Sequence, residues 1–220
     1  MMWGVFWYPL RWFDSIGAGG AWVSLIFNAV AALSALPWMI NRAAWHGFSR
    51  QLLNGLLLGS AFALYTVSLV MTDVIHAILL FYLTPLWSTL VSWLFLGQRL
   101  TASRVIAMVF GFSGMALILG ISEGLPVPRN AGDWIALASG MLWAAGTLRS
   151  YASPSFRIAL PVFTFAVGGI AASGLILLMT EVLVGAITAA MFSGEAFGIA
   201  DAIGTALIVS AGLVEIVGRR

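Results

Sequence analysis

The stretch YLTPLWSTLVSWLFLGQRLTASRVIAMVFGFSGMALILG, residues 82–120, decides the fold of this chain. It contains the end of one apolar helix, a short polar break at residues 97–99 and a second apolar helix. Pro85 lies inside the first helix, where a proline removes one backbone hydrogen bond and kinks the helix. Bilayers tolerate such breaks mainly where protein or a water-filled cavity covers the freed carbonyl group. The stretch therefore predicts a helical membrane protein with a cavity near Pro85.

The composition of the whole chain indicates the same class. Hydrophobic residues make up 61% of the sequence and charged residues 8%, whereas a soluble domain carries about 25% charged residues. A polytopic membrane protein follows, with the lipid bilayer as its surroundings and no nucleic-acid partner expected. The sequence contains no phosphate-binding loop, paired-cysteine site, HExxH motif or GxSxG elbow. We therefore expect no enzyme activity, no cofactor and no metal.

Apolar segments of helical length follow one another along the chain. At about 20 residues per span, 220 residues leave room for eight or nine helices. The predicted segments are residues 1–12, 21–40, 52–71, 74–96, 102–121, 134–151, 158–180, a short piece at 182–192, and 202–217.

Charged residues predict the orientation of these segments. All ten basic residues are arginines, and arginine concentrates in cytoplasmic loops. Pairs of arginines fall on one side of the membrane at residues 42 and 50, 99 and 104, 149 and 157, and 219 and 220. The opposite side carries mainly acidic residues, so we expect both termini in the cytoplasm.

The second half of the chain is too short for a complete internal repeat. Gly97-Gln98 parallels Gly194-Glu195, and an apolar segment with small residues follows each pair. The segment at 182–192 would be roughly 16 Å long as a helix, too short to cross a 30 Å core. We infer that roughly 40 residues, about one and a half helices by span length, are absent between Glu181 and Gly194. Either the sequence omits part of a longer protein, which we favour, or the protein is a short variant with a re-entrant piece.

The residues of the opening stretch resemble a known family signature. This signature comprises Pro85, Leu86, Trp93, Leu94, Phe95, Leu96, Gly97, Gln98, Arg99 and Leu100, followed by a glycine-rich helix. It resembles that of EamA-type transporters in the drug/metabolite transporter superfamily, in which glutamate is commoner at the position of Gln98. The resemblance implies an all-α bundle of ten helices in two inverted five-helix repeats, here residues 1–121 and 122–220. It also implies a multi-pass transporter of the bacterial inner membrane that exports small metabolites by alternating access.

Within the family, the aromatic and histidine residues of segment 74–96 favour the YddG-like amino-acid exporters. The expected substrate is an aromatic or neutral amino acid, and the expected oligomeric state is a monomer. Transporters of nucleotide sugars, sugar phosphates or drugs from the same superfamily are the alternative. A further alternative is an integral membrane enzyme or a structural subunit. Phosphorylated solutes require buried cations, but this chain has no lysine and its arginines fall at the ends of predicted helices, so we rank their transporters lower.

Six residues are predicted to bind the substrate: Tyr65, His76, Tyr82, Thr84, Pro85 and Trp143. An ionisable residue at membrane depth, such as His76, is a functional candidate. The alternative is a structural hydrogen bond from His76 to a neighbouring helix. Tyr65, Tyr82 and Trp143 fall near the middle of helices, where a polar tip on an apolar ring requires a partner or a wet cavity.

Small residues spaced by four are expected to pack helices closely. The motifs are Gly55-x-x-x-Gly59, Ala107-x-x-x-Gly111 and Gly168-x-x-x-Ala172. Tryptophans at helix ends, including Trp134, are expected to be interfacial anchors.

Overall fold

Apolar runs separated by glycine, proline and short polar segments form α-helices in this protein. The computed structural model describes residues 5–40, 45–97, 101–119, 128–155 and 158–192. Within these residues there are eight helices and no strand, which confirms the all-α prediction. The helices are α1 Trp7–Ser15, α2 Gly20–Met39, α3 Phe48–Met71, α4 Val74–Phe81, α5 Thr84–Leu96, α6 Ala102–Leu119, α7 Ala131–Ala152 and α8 Ala159–Phe192.

The chain divides into two compact units, residues 1–173 and residues 174–220. In the first unit α3 is central, because it contacts α1, α2, α4 and α7. A buried apolar cluster joins four of these helices through Leu10, Leu69, Ala77, Leu80 and Ala136. In the second unit the described residues, 174–192, are the C-terminal part of α8.

Three hydrogen bonds fix the antiparallel register of α3 and α7. Just past the end of α3, the Thr72 hydroxyl donates to Oδ1 of Asp133 at 2.6 Å. In the middle, the Ser139 hydroxyl donates to the carbonyl of Ala61 at 2.6 Å. Near the start of α3, Nε2 of Gln51 donates to the carbonyl of Ser153 at 2.7 Å. The two helices are therefore held along their whole shared length.

Glycines bring α3 and α8 into backbone contact, and we call this contact the glycine seam. A Cβ atom on Gly59 would lie 2.2 Å from the Phe165 carbonyl oxygen and 2.4 Å from the Gly169 nitrogen. A Cβ on Gly168 would lie 2.3 Å from the Gly55 carbonyl oxygen. These distances confirm the packing role predicted for Gly55, Gly59 and Gly168. Gly111 differs, because among the described residues an added Cβ there would meet open space.

Four helical stretches are long and apolar enough to cross a membrane. They are Gly20–Met39, Phe48–Met71, Val74–Leu94 and Ala159–Glu181. All four coincide with predicted segments, namely 21–40, 52–71, 74–96 and 158–180. The protein is therefore a multi-pass membrane protein, as the composition predicts.

Two predicted segments differ in detail from the observed helices. Segment 74–96 forms two helices, because the chain turns at Tyr82 and Leu83 before α5 begins. Segment 182–192 is not a separate piece, because α8 continues through Glu181 to Phe192. Glutamate is a good helix former, so its charge does not end the helix.

Several predictions fall outside the described residues. These include the Gly194-Glu195 pair, the last segment at 202–217 and Gln98 to Leu100 of the family signature. The ten-helix arrangement of inverted repeats, the boundary at residue 121 and the missing segment stay predictions.

Candidate functional site

Five aromatic side chains of the first unit surround a cavity of about 210 Å³. We call it the aromatic cavity, and its lining residues are Phe62, Tyr65, Phe81, Tyr82 and Trp143. Ligand pockets commonly measure about 300–1,000 Å³. The cavity therefore suits a small solute, or one end of a larger one.

Three parts of the fold supply these rings. Phe62 and Tyr65 are three residues apart on α3 and so lie on adjoining positions of one helix face. Phe81 is the last residue of α4, and Tyr82 follows it in the turn before α5. Trp143 comes from the middle of α7. The α3–α7 pairing thus sets two walls, and the interruption between α4 and α5 sets the third.

The rings meet at different angles around Phe81. The Tyr65 ring lies 4.5 Å from it, tilted by 39°. The Tyr82 ring stands at 74° and 6.1 Å, and the Trp143 ring at 64° and 5.9 Å. The last two contacts have the edge-to-face geometry that aromatic pairs prefer. The walls of the cavity are therefore inclined to one another and are not stacked in parallel.

The interruption between α4 and α5 has a local cause in Pro85. Pro85 is in the first turn of α5, where the missing N–H of a proline costs little. In a continuous helix that N–H would reach the carbonyl four residues earlier, at Phe81. The Thr84 hydroxyl donates to the Phe81 carbonyl instead. The polar group freed by the proline is thus satisfied, and Phe81 and Tyr82 remain in the cavity wall.

A close approach of α7 supports the same interruption. The Gly140 carbonyl lies 3.5 Å from the Thr84 hydroxyl oxygen. A Cβ on Gly140 would lie 2.9 Å from the Phe81 carbonyl oxygen, so a larger residue would push against the turn. The absence of a side chain at this position allows α7 to pass the broken segment.

The structure distributes the six predicted binding residues over three locations. Tyr65, Tyr82 and Trp143 line the aromatic cavity. Thr84 and Pro85 are at the interruption behind its wall and are not among the lining residues. His76 is near the start of α4 and has its own surroundings. A role of these residues in substrate binding stays a prediction.

Two lining residues, Phe62 and Phe81, were not among the predicted binding residues. Phe62 is three residues before Tyr65 on α3, so helical spacing from a residue already selected would have found it. Phe81 is next to Tyr82 and at the end of a helix just before a proline turn. In both cases an apolar ring alone gives no signal that separates a cavity wall from ordinary packing.

His76 is buried, with 8% of its surface exposed. Within the described residues its Nε2 atom has no hydrogen-bond partner. It interacts electrostatically with Asp133 at the start of α7. His76 thus belongs to a polar region at one end of α3 and α7, away from the aromatic lining.

That polar region is a hydrogen-bonded group, the polar clamp, made of Thr72, Arg129, Asn130 and Asp133. Asp133 Oδ1 accepts from the Thr72 hydroxyl, and Oδ2 accepts from the Arg129 backbone N–H at 2.8 Å. The Asn130 side chain caps α7 by accepting from the Asp133 N–H, and donates to Thr72 at 2.9 Å. Thr72, Asn130 and Asp133 therefore tie the start of α7 to the end of α3, and the Arg129 N–H holds the Asp133 carboxylate in place.

The clamp favours the ionised form of Asp133, which is outside the four candidate spans. Burial raises the pKa of its carboxyl group, but the hydrogen bonds from Thr72 and Arg129 and the nearby His76 outweigh burial. The net effect lowers the pKa below its ordinary value. In the described part of the chain, no three His, Cys, Asp or Glu side chains come together as a metal site.

Comparison with known proteins gives one family. A sequence model described as the EamA-like transporter family matches residues 3–120. This range covers more than half of the chain and includes α1 to α6. No curated protein matches the chain, and no solved structure matches it.

Proposed function

This chain belongs to the EamA-like transporter family, and from this premise we propose that it exports small metabolites through the aromatic cavity by alternating access. The observation that carries the proposal is a cavity lined by residues of an interrupted helix. Transporter sites are commonly formed where membrane helices are discontinuous. An irregular backbone at membrane depth is tolerated where protein covers it or where it lines a cavity. The turn at Tyr82 meets the second condition, because Phe81 and Tyr82 line the cavity.

Aromatic and neutral amino acids are the solutes proposed first. Ring faces would accommodate an apolar side chain, and the hydroxyl groups of Tyr65 and Tyr82 offer hydrogen bonds to polar atoms. Sugar phosphates and nucleotide sugars, the alternative within the superfamily, need cations to replace their water. The described lining residues carry no charge, which favours the amino-acid proposal over this alternative.

The proposed setting is the bacterial inner membrane, with both termini in the cytoplasm. The support is the concentration of arginines on one side of the predicted topology. Reporter fusions at each end of the full chain would test the orientation. Activity, at either terminus, of a reporter enzyme that works only in the periplasm would contradict this orientation.

Transport itself can be tested with purified full-length protein in liposomes. The measurement is the uptake of labelled Trp, Phe, Met and Thr, with and without a pH gradient. We expect saturable flux of some of these amino acids, and we expect Trp143→Ala to reduce it at least tenfold because a cavity wall is removed. Trp134→Ala is the matched control, since Trp134 is on the same helix and is 61% exposed. Equal flux in empty liposomes and in liposomes with folded protein would refute the amino-acid proposal.

A further inference from the structure

The start of α3 and the end of α7 lie side by side at one end of the first unit. Nε2 of Gln51 donates to the carbonyl of Ser153 at 2.7 Å, and Nδ2 of Asn54 donates to the Ser153 hydroxyl at 2.9 Å. Each of these helix ends carries one exposed arginine, Arg50 in the first turn of α3 and Arg149 in the last turn of α7. We call the surface around these two arginines the arginine end.

The acidic side chains described in the first unit lie far from the arginine end. Asp73 and Asp133 are at the other end of α3, where Thr72 bonds to Asp133. Asp14 lies beside Gly19 at the start of α2, whereas the end of α2 packs with the start of α3. The 24 residues of α3 put roughly 36 Å between its two ends. Among the described residues of this unit, the two arginines therefore have no acidic partner.

Arg149 begins inside the length of α3 and not beyond its end. One turn earlier on α7, a Cβ added to Gly146 would lie 2.8 Å from the Leu58 side chain. One turn later, Ser153 bonds to Asn54. Position 149 is therefore level with about the second turn of α3, which is a candidate membrane span. Because a charge in the hydrocarbon region is costly, we expect the long arginine side chain to extend toward the lipid headgroups.

Aromatic residues accompany the arginines at this end. Tyr151 follows Arg149 by two residues and is 81% exposed. Trp45 precedes α3, and its indole Nε1 donates to the Met39 carbonyl at 2.8 Å. The Trp45 ring lies 5.0 Å from that of Phe48, the first residue of α3. Since tryptophan and tyrosine are enriched at the level of the headgroups, these residues indicate that the arginine end lies at the membrane surface.

The chemistry of arginine favours a phosphate as the partner at this level. A guanidinium group can bind a phosphate through two parallel N–H···O bonds. In a zwitterionic lipid, an ammonium group of the same headgroup compensates the phosphate charge, whereas many anionic lipids have no internal cation. Each basic residue near the membrane surface adds to the attraction for anionic lipids. Two arginines without an acidic partner therefore favour an anionic headgroup over a zwitterionic one.

We propose that the arginine end binds the headgroup of an anionic phospholipid, with Arg50 and Arg149 donating hydrogen bonds to its phosphate. A lipid is favoured over a soluble phosphate because Arg149 begins inside the length of a candidate membrane span, where lipid surrounds the protein. This surface is separate from the lining of the aromatic cavity, so the proposal holds whether or not the protein transports a solute.

Native mass spectrometry of the purified full-length protein tests this proposal. The protein is mixed in detergent with equal amounts of phosphatidylglycerol and phosphatidylcholine that carry the same acyl chains, so only the headgroup differs. We expect bound phosphatidylglycerol to exceed bound phosphatidylcholine by at least about tenfold, since one basic residue near an anionic surface accounts for about fivefold. Equal binding of the two lipids would overturn the proposal.

Charge-removing variants locate the lipid site. Arg50→Gln and Arg149→Gln should each lower the preference for phosphatidylglycerol about fivefold. Arg129→Gln is the matched control, because it removes the same charge near the other end of α3, and it should leave the preference unchanged. Equal losses in all three variants would mean diffuse attraction and would overturn the proposal. If Arg149→Gln does not fold, the exposed Arg50→Gln decides, and an unchanged preference in that variant contradicts the site.

Inorganic phosphate distinguishes a lipid site from a site for soluble anions. We expect an excess of inorganic phosphate to leave phosphatidylglycerol bound, because the acyl chains also hold the lipid against the protein. Sodium chloride at the same ionic strength is the control for charge screening. Release of the lipid by phosphate, but not by sodium chloride, would mean that the arginine end binds a soluble anion and would overturn the assignment to a lipid.

Discussion

The glycine seam and the aromatic cavity meet on one helix, α3, and are built in opposite ways. At the seam, Gly55 and Gly59 leave no room for a single added carbon atom. One to two turns further along, Phe62 and Tyr65 border about 210 Å³ of empty space. In a bilayer, where lipid tails are as apolar as leucine, close packing of small residues drives helix association. The seam can therefore stabilise the fold while the cavity stays open for a solute.

This contrast implies different responses to mutation. An added atom should be harmful at the seam and tolerated in the cavity, whereas removal of a ring should alter binding more than folding. Phe62 connects the two regions, since its ring is 5.8 Å from Phe165 of α8 and also lines the cavity. Substitutions in the glycine seam and in the aromatic cavity therefore test whether packing in one region affects the other.

The largest loss of stability is expected from Gly59→Ala, which disrupts the packing of the glycine seam. The new Cβ would lie 2.2 Å from a backbone oxygen of α8, and no side-chain rotation can relieve that contact. Overpacking of this kind costs about 1–3 kcal/mol or more, which exceeds the gain of up to about 1 kcal/mol in helix propensity. We expect a lower unfolding temperature and less monodisperse protein in size-exclusion chromatography.

Gly111→Ala is the matched control for that experiment. An alanine Cβ there would meet open space among the described residues, so only the propensity gain remains. We expect its unfolding temperature to be unchanged or slightly higher. If both alanine variants behave alike, the seam does not hold α3 against α8.

A smaller loss of stability is expected from Asp133→Asn. Asp133 belongs to the polar clamp, which supports the α3–α7 pairing that borders the cavity. An amide has one oxygen acceptor where the carboxylate has two, so either Thr72 or the Arg129 N–H loses its partner. Leaving a buried donor unsatisfied costs about 1–3 kcal/mol. Thermal unfolding at neutral pH measures the loss, with the exposed Asp14→Asn as control.

The clamp also predicts a pH dependence of stability. The pKa of Asp133 is lower in the folded protein than its ordinary value, which is about 3.9 in an unfolded chain. The stabilisation is therefore complete above that unfolded value and is lost as the pH falls through the lower, folded value. Asp133→Asn should flatten this part of the stability curve. An identical acid dependence in wild type and variant would exclude Asp133 as its source.

The sequence predicted local features better than contacts between helices. Tyr65, Tyr82 and Trp143 could be selected because each combines a ring with a polar atom near the middle of a helix. Phe62 gave no such signal, since a phenylalanine in an apolar helix is ordinary. The clamp was out of reach as well, because Thr72 and Asp133 are 61 residues apart and only the antiparallel pairing of α3 and α7 brings them together.

The same limit explains the interrupted helix. Pro85 predicted a kink, but whether a proline kinks or divides a helix depends on what satisfies the freed carbonyl. Pro37 lies inside α2, which continues past it, whereas the chain turns before Pro85. At the second site the Thr84 hydroxyl and the nearby Gly140 stabilise the turn. The threonine is visible in the sequence, but the approach of α7 is not.

The smallest effect on stability is expected from Thr84→Val. This variant tests what holds the cavity wall in place. This variant removes the hydroxyl that donates to Phe81 and keeps the shape of the side chain, so we expect a loss of about 1 kcal/mol. In a Pro85→Ala background, the restored N–H can bond to the same carbonyl, and Thr84→Val should then cost little. The double-mutant cycle, measured by thermal unfolding, should give a coupling energy of at least about 0.5 kcal/mol. Strict additivity would mean that Thr84 does not replace the hydrogen bond lost at Pro85. The turn that holds Phe81 and Tyr82 in the cavity wall would then depend on the packing of α7 alone.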